Sequence, residues 1–273
     1  MPTIDPSRTK TLRTRYIADF TRRWKRVRQG TRLVITEHEF VGLTPEQQAR
    51  SVARYVDALI GRAVFDDGVW QSQYIRGAYV RGLGNAVEDL RRGGYRDVGN
   101  PGDIVAQTAH AAAIAILLAR YNADLRKIQS VTVQQVIDKM TLALVAGLPL
   151  PDVADVVDKH IRGVGLVRSG ALAQTAAVAT VAAGTLALYE RFGVLLVEPS
   201  IEQVFTTAGD SRVCPVCVEL STRDNGRGPG IYTIDQARGI IPVHVKCRCS
   251  WQSRISKVGR FEGTRQRVTG VII

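Results

Sequence analysis

Thr206-Thr207-Ala208-Gly209-Asp210-Ser211-Arg212-Val213-Cys214-Pro215-Val216-Cys217, answered about thirty residues later by Pro242-Val243-His244-Val245-Lys246-Cys247-Arg248-Cys249-Ser250-Trp251, is where the fold is decided. All four cysteines of the chain, and one of its four histidines, lie in these two stretches. Two thiolates separated by two residues on a tight turn converge on one tetrahedral ion, and a second Cys/His group arriving from a distant strand completes the cage. Cys247 and Cys249 are two apart, so in extended chain they point to one face and both aim at the first pair. The expected ligands are Cys214 and Cys217 with two of His244, Cys247 and Cys249, around Zn2+. Two disulfides or merely buried thiols are the alternatives. Met1 to Arg8 contains no apolar signal-like run, and thiols made in a reducing cytosol stay reduced or take up metal, which weighs against disulfides.

Working outward, the periodicity changes near Gly193. Downstream, Val194–Val197, Ile201–Thr207, Ile231–Ile234 and Arg248–Ile255 read as short strands, and Asn225-Gly-Arg-Gly-Pro-Gly230 reads as a loop. Such a small sheet buries too little to hold itself, which is the physical reason for a staple. Upstream, the chain reads as helices. Thr9–Gln29 places Leu12, Tyr16, Phe20, Trp24 and Val27 on one stripe, with Gly30 as its stop and Arg32–Ile35 as a short strand. Thr44-Pro45-Glu46-Gln47 is a capping box ahead of the apolar set Val52, Val56, Leu59, Ile60, Ala63 and Val64. A helix over Val69–Arg92 carries Gly77, Gly82 and Gly84, which mark a kink or a close crossing. Asp103 is expected to cap a helix to about Lys127. Thr132–Ala146 and Pro151–Arg162 follow, then a Gly-rich stretch Gly163–Gly170 and an Ala-rich helix ending at Gly193.

The expected class is therefore α+β: a mainly α-helical N-terminal and central region followed by a small loop-rich β subdomain stapled by a Cys/His cluster. The expected divisions are a helical region at 1–135, a second helical part at 136–193, the Cys/His subdomain at 194–256 and a basic tail at 257–273. The apolar segments 104–119 and 171–188 read as packed core helices rather than membrane spans: the first is too short for a bilayer, and the second mixes Gln174 and threonines into alanine. His110 reads as a core histidine, and His38 and His160 have no ligand pattern around them.

The 273 residues carry a net charge of +12, unevenly placed. Residues 1–35 hold ten Lys/Arg against two Asp/Glu and residues 200–273 eleven against six, while the stretch between is close to neutral. Polyanions would be met by the ends. On the first helix, Arg13, Arg15, Arg22, Arg23, Lys25, Arg26 and Arg28 are the expected contacts to nucleic acid or to an acidic partner; a solvated basic face is the plainer reading.

The series T-A-G-D-S-R-V-C-P-V-C-x-E-L, a Gly-rich gap and P-x-H-x-x-C-R-C resembles the signature of the MuF-like family of phage minor head (head morphogenesis) proteins. The resemblance extends upstream through Arg168-Ser-Gly-Ala-Leu-Ala-Gln-Thr175 and Tyr189-Glu-Arg-Phe-Gly-Val194, covering roughly residues 140–255. Gln174, Ala176 and Val245 depart from the family pattern. The resemblance implies a structural, non-enzymatic virion protein, made in the host cytoplasm and placed inside the capsid near the portal. Implied partners are the portal protein, the major capsid or scaffold protein and packaged DNA, with roles in head assembly and in DNA packaging or ejection. Two other classes compete: a zinc-stapled DNA-binding module and an HNH-like nuclease. The nuclease needs a general-base histidine and further ligands for a catalytic ion, and His244 is the only histidine in the last hundred residues.

Overall fold

The computed structural model describes residues 8–65, 69–95, 97–195 and 201–255. The predicted strand over Val194–Val197 begins instead as helix, because the Ala-rich helix runs past its expected stop at Gly193 to Leu195; the rest of that strand and the basic tail at 257–273 lie outside the described residues. The described chain is α+β, a helical body followed by a three-stranded antiparallel sheet.

Helix α1 spans Lys10–Glu37 and buries Tyr16, Phe20, Trp24, Val27, Thr31 and Ile35. The stripe thus continues past Gly30, and the strand predicted at Arg32–Ile35 is the last turns of this helix. Gly30 is no terminus; a Cβ there would stand 2.8 Å from Leu59 Cδ1, so it is the point where the next helix comes close. That helix, α2 (Pro45–Ile60), begins in the Thr44/Gln47 capping box, with both reciprocal bonds formed, and runs into a π-helical turn at Gly61–Phe65. Helix α3 covers Val69–Arg92. Asn100, not Asp103, caps the short α4 (Pro101–Val105), its side chain accepting from the Gly102 amide.

Helix α5 is one rod, Thr108–Val145, across the gap predicted between Lys127 and Thr132. Gln129 and Ser130 contain no breaker: Ser130 Oγ bonds back to the Arg126 carbonyl and Gln129 reaches Asp57 on α2. After α6 (Leu150–Ile161), the glycines at 163–170 do not open a loop. A π-helical turn at Arg162–Leu166 leads directly into α7, Val167–Leu195. Gly165 permits this packing, because a Cβ on it would overlap the Trp24 ring carbons; Trp24 Nε1 then donates to Ser169 Oγ at 2.9 Å.

Helix α7 organises the molecule. Ala173, Ala176, Ala179, Leu188 and Tyr189 belong to the helical core with α1, α2, α3, α5 and α6. Val178, Ala182 and Leu186 belong to a second core shared with Phe205, Leu220, Tyr232, Trp251 and three of the cysteines. A helix buried on two opposite sides has no polar face to keep, which is why it reads as alanine-rich and weakly amphipathic. Among the described residues, the run Leu150–Phe192 is long and apolar enough to cross a bilayer, and 67% of its most apolar window is buried inside the protein.

The sheet has the order β2-β1-β3, from β1 (Ile201–Thr206), β2 (Ile231–Tyr232) and β3 (Ser250–Ile255). Phe205 faces Trp251 across β1 and β3, their rings edge to face at 5.4 Å, and Tyr232 packs on the same Trp251. Two short helices are additions to the sequence reading: α8 (Pro215–Thr222) inside the first cysteine stretch and α9 (Ile234–Ala237), where Thr233 and Gln236 form a second capping box that ends β2 early.

Candidate metal centre

The first cysteine turn is shaped by its own backbone chemistry. Gly209 takes a left-handed φ of 66°, and Asp210 accepts from the Arg212 amide at 3.0 Å. Cys214 then becomes the N-cap of α8, with Pro215 in the first helical turn and Cys214 Sγ accepting from the Cys217 amide at 3.4 Å. Pro is suited to that position because its missing N–H has no helical partner in any case.

The second turn is held from outside. Lys246 adopts a left-handed φ of 64°, a conformation a side chain disfavours. Its amide donates to Thr175 Oγ1 at 3.0 Å, and its carbonyl accepts from Gln174 Nε2 at 3.0 Å, so α7 grips the turn on both sides of the strained residue. The Cys247 amide closes the turn on the His244 carbonyl at 3.1 Å.

An ion pair ties the two turns to each other. Arg248, lying between two of the cysteines, donates both guanidinium NH2 groups to the Asp210 carboxylate, each at 2.6 Å. This Arg248 contact first, and the Arg212 contacts after it, hold the Asp210 carboxyl well below the usual carboxylate range. A two-point guanidinium–carboxylate contact fixes orientation as well as distance.

The result brings all five predicted ligands together. Cys217, Cys247 and Cys249 are buried, Cys214 is half-buried and His244 is exposed. The donor atoms of Cys217, Cys247 and Cys249 lie within 4.8 Å of one another, as do those of Cys214, Cys217 and His244. All four cysteines are free thiols, so neither alternative disulfide is present. Their protonation is strongly interdependent. The Cys249 thiol, with backbone amides of Cys249 and Val243 adding to it, pulls Cys247 down to about 5 against the cost of burial. Burial first, then the hydrogen bond with Cys214, pushes Cys217 up to about 12. Cys249 is pushed upward chiefly by the proton it shares with Cys247. A cation entering such a group of mutually bonded thiols displaces their protons as it binds. The cluster could hold a metal ion, and its sulfur-rich donor set suits a soft or borderline ion over a hard one.

The basic residues of α1 divide. Arg28 makes a two-point ion pair with Asp158 of α6 at 2.6 and 2.7 Å. Arg23 donates to the Ala63 carbonyl and lies over the Trp70 ring, and Arg22 pairs with Asp19. Arg13 is half-buried, whereas Arg15, Lys25 and Arg26 are exposed. The other histidines stand apart from the cysteine cluster: His110 is buried and shares a hydrogen bond of 2.9 Å with the Tyr79 hydroxyl, and His38 packs on Phe40.

Four residues that position the site were quoted in the sequence motifs without a role: Asp210, Arg248, Gln174 and Thr175. The signal was available for Arg248, since a cation placed between two buried cysteines needs a counter-charge. Compared with protein-family models, curated proteins and solved structures, the chain matches none.

Proposed function

We propose that this chain is a structural, non-enzymatic minor head protein of a phage, whose Cys/His cluster holds Zn2+ and makes the small sheet a rigid docking platform. One observation carries the reading. The upstream helix and the cysteine region, the two parts of the MuF-like resemblance, meet at the cluster, where Thr175 of α7 holds the turn leading to Cys247 and Gln174, a departure from the family pattern, adds a second bond to it. Zinc is favoured by donor chemistry, because thiolates and imidazole in a closed tetrahedral set are its structural mode. The platform faces the portal vertex from inside the head, and Arg15, Lys25 and Arg26 supply the contacts to portal acids or packaged DNA. The role is in head assembly, with packaging or ejection of DNA as its extension.

The test is a tagged chain followed through head assembly, with pull-down against the portal encoded beside it. The account expects the protein in precursor heads or virions and retained by the portal. Absence from both particles, with no portal retention, would overturn it. Exposed Arg15, Lys25 and Arg26 also favour a second reading, a zinc-stapled DNA-binding module. Salt-steep DNA binding without portal affinity would select that one.

A further inference from the structure

Five donors surround a site with four corners, and the structure divides them unevenly. The Cys217, Cys247 and Cys249 sulfurs form one buried set within 4.8 Å, Cys214 and His244 share such a set with Cys217 alone, and no four of the five meet that distance together among the described residues. Metal–sulfur bonds of about 2.3 Å in a tetrahedron place the sulfurs about 3.8 Å apart. The buried three therefore already outline one face of the tetrahedron. The other two donors, half-buried Cys214 and exposed His244, stand within 4.8 Å of Cys217, one vertex of that face.

Resting on the metal reading above, we propose that Cys217, Cys247 and Cys249 are fixed ligands and that Cys214 and His244 are alternative occupants of the fourth corner. Both are chemically equipped for it. Cys214 Sγ is already oriented by the Cys217 amide at 3.4 Å. His244 Nδ1 lies 2.8 Å from the Val245 carbonyl; a carbonyl only accepts, so Nδ1 carries the proton and Nε2 keeps its lone pair for a metal. The two donors also sit on turns held by contacts that use neither donor side chain. Cys214 follows the loop pinned by Asp210 to Arg248, and His244 begins the turn pinned by Lys246 to Thr175 and Gln174. Losing one donor therefore leaves the other in place. Exchange between them turns an all-thiolate site into a Cys3His site at the solvent-facing corner, altering the softness of the site without dismantling it.

The experiment titrates the full chain with Co2+, whose thiolate charge-transfer absorbance grows with the number of bound sulfurs, and with Zn2+ in competition. Cys214→Ser and His244→Ala should each keep one equivalent of metal, weakened by no more than about 100-fold, the scale of losing a supporting partner. The charge-transfer intensity should fall in Cys214→Ser and persist in His244→Ala. The double variant and Cys249→Ser should both lose stoichiometric binding. Cys214→Ala and His244→Gln repeat the pair with side chains of different size, and far-UV circular dichroism checks that each variant folds. If Cys214→Ser and Cys214→Ala both fold and both lose the metal while the His244 variants match the parent, Cys214 is the sole fourth ligand and the exchange is refuted. The mirror result, with binding lost only in the His244 variants, refutes it equally. A parent chain that takes up neither ion overturns the metal reading itself.

Discussion

Replacing Gly82 by alanine sets two effects of opposite sign against each other at the crossing of α3 and α7. Alanine in a helix interior is favoured over glycine by about 1 kcal/mol. At Gly82, however, a Cβ would overlap the Val181 carbonyl oxygen and stand 2.9 Å from the Thr185 nitrogen and 3.1 Å from the Gly184 carbonyl carbon. These are backbone atoms of the central helix and cannot swing aside. Overpacking of this kind costs about 1–3 kcal/mol, and moving the helices apart also weakens the Thr185 Oγ1 bond to the Gly82 carbonyl, now 3.1 Å long, by about 1 kcal/mol. The packing terms win, for a net loss of about 1–3 kcal/mol and a melting temperature lower by about 3–9 °C on the scale of mid-sized domains. Gly77, on the same helix, supplies the control: the nearest atom to its Cβ would be Leu12 Cδ1 at an ordinary 3.6 Å. Gly77→Ala should therefore stabilise by up to about 1 kcal/mol. Urea and thermal unfolding followed by circular dichroism compare the two variants. Gly82→Ala proving as stable as Gly77→Ala would refute the close crossing, and with it the account of α7 as the element shared by both cores.

Three further outcomes follow from particular contacts. Asp210→Asn removes the counter-charge of Arg248 and loosens the first cysteine turn, so metal affinity measured by chelator competition should fall by about 10–100-fold; unchanged affinity would mean that the ion pair does not register the turns. Burial, and Arg191 after it, lowers the His110 pKa below its ordinary 6.5, so the folded state favours the neutral ring; its contribution is complete above about pH 6.5 and is lost as pH falls through the lowered value. His110→Gln should make the stability profile just below pH 6.5 shallower, with His160, also lowered by burial, and the lowered carboxylates supplying what slope is left, and an unaltered profile would count against it. Replacing Arg15, Lys25 and Arg26 together by glutamine should reduce the salt slope of DNA binding by about 1 per cation, with far-UV dichroism unchanged; an unchanged slope would remove α1 as a phosphate contact.

Much of the fold was legible wherever a local rule coincided with the tertiary one. The Thr44/Gln47 capping box began a helix as written, and the Tyr16-Phe20-Trp24 stripe faced the core. Glycines are less legible, because their reason lies in a neighbour distant in sequence. Gly30 makes room for Leu59 and Gly165 makes room for Trp24, so neither ends a helix. The run Arg32–Ile35 has the composition of a strand, yet buried Thr31 and Ile35 continue the helical period of α1. Helix α8 was hidden because Cys214 caps it with sulfur rather than with a hydroxyl or carboxylate. At the cluster, the spacing of the cysteines named the donors, whereas the residues that aim them depend on contacts between segments: Arg248 with Asp210, and Lys246 with α7.

The most direct test is the metal content of the purified full chain, read together with its melting curve before and after a strong chelator. The account predicts one zinc per chain, and a melt that drops on chelation and recovers when zinc is restored. A metal-free chain that keeps its four free thiols, melts at the same temperature with or without chelator and takes up no zinc when it is supplied would contradict it.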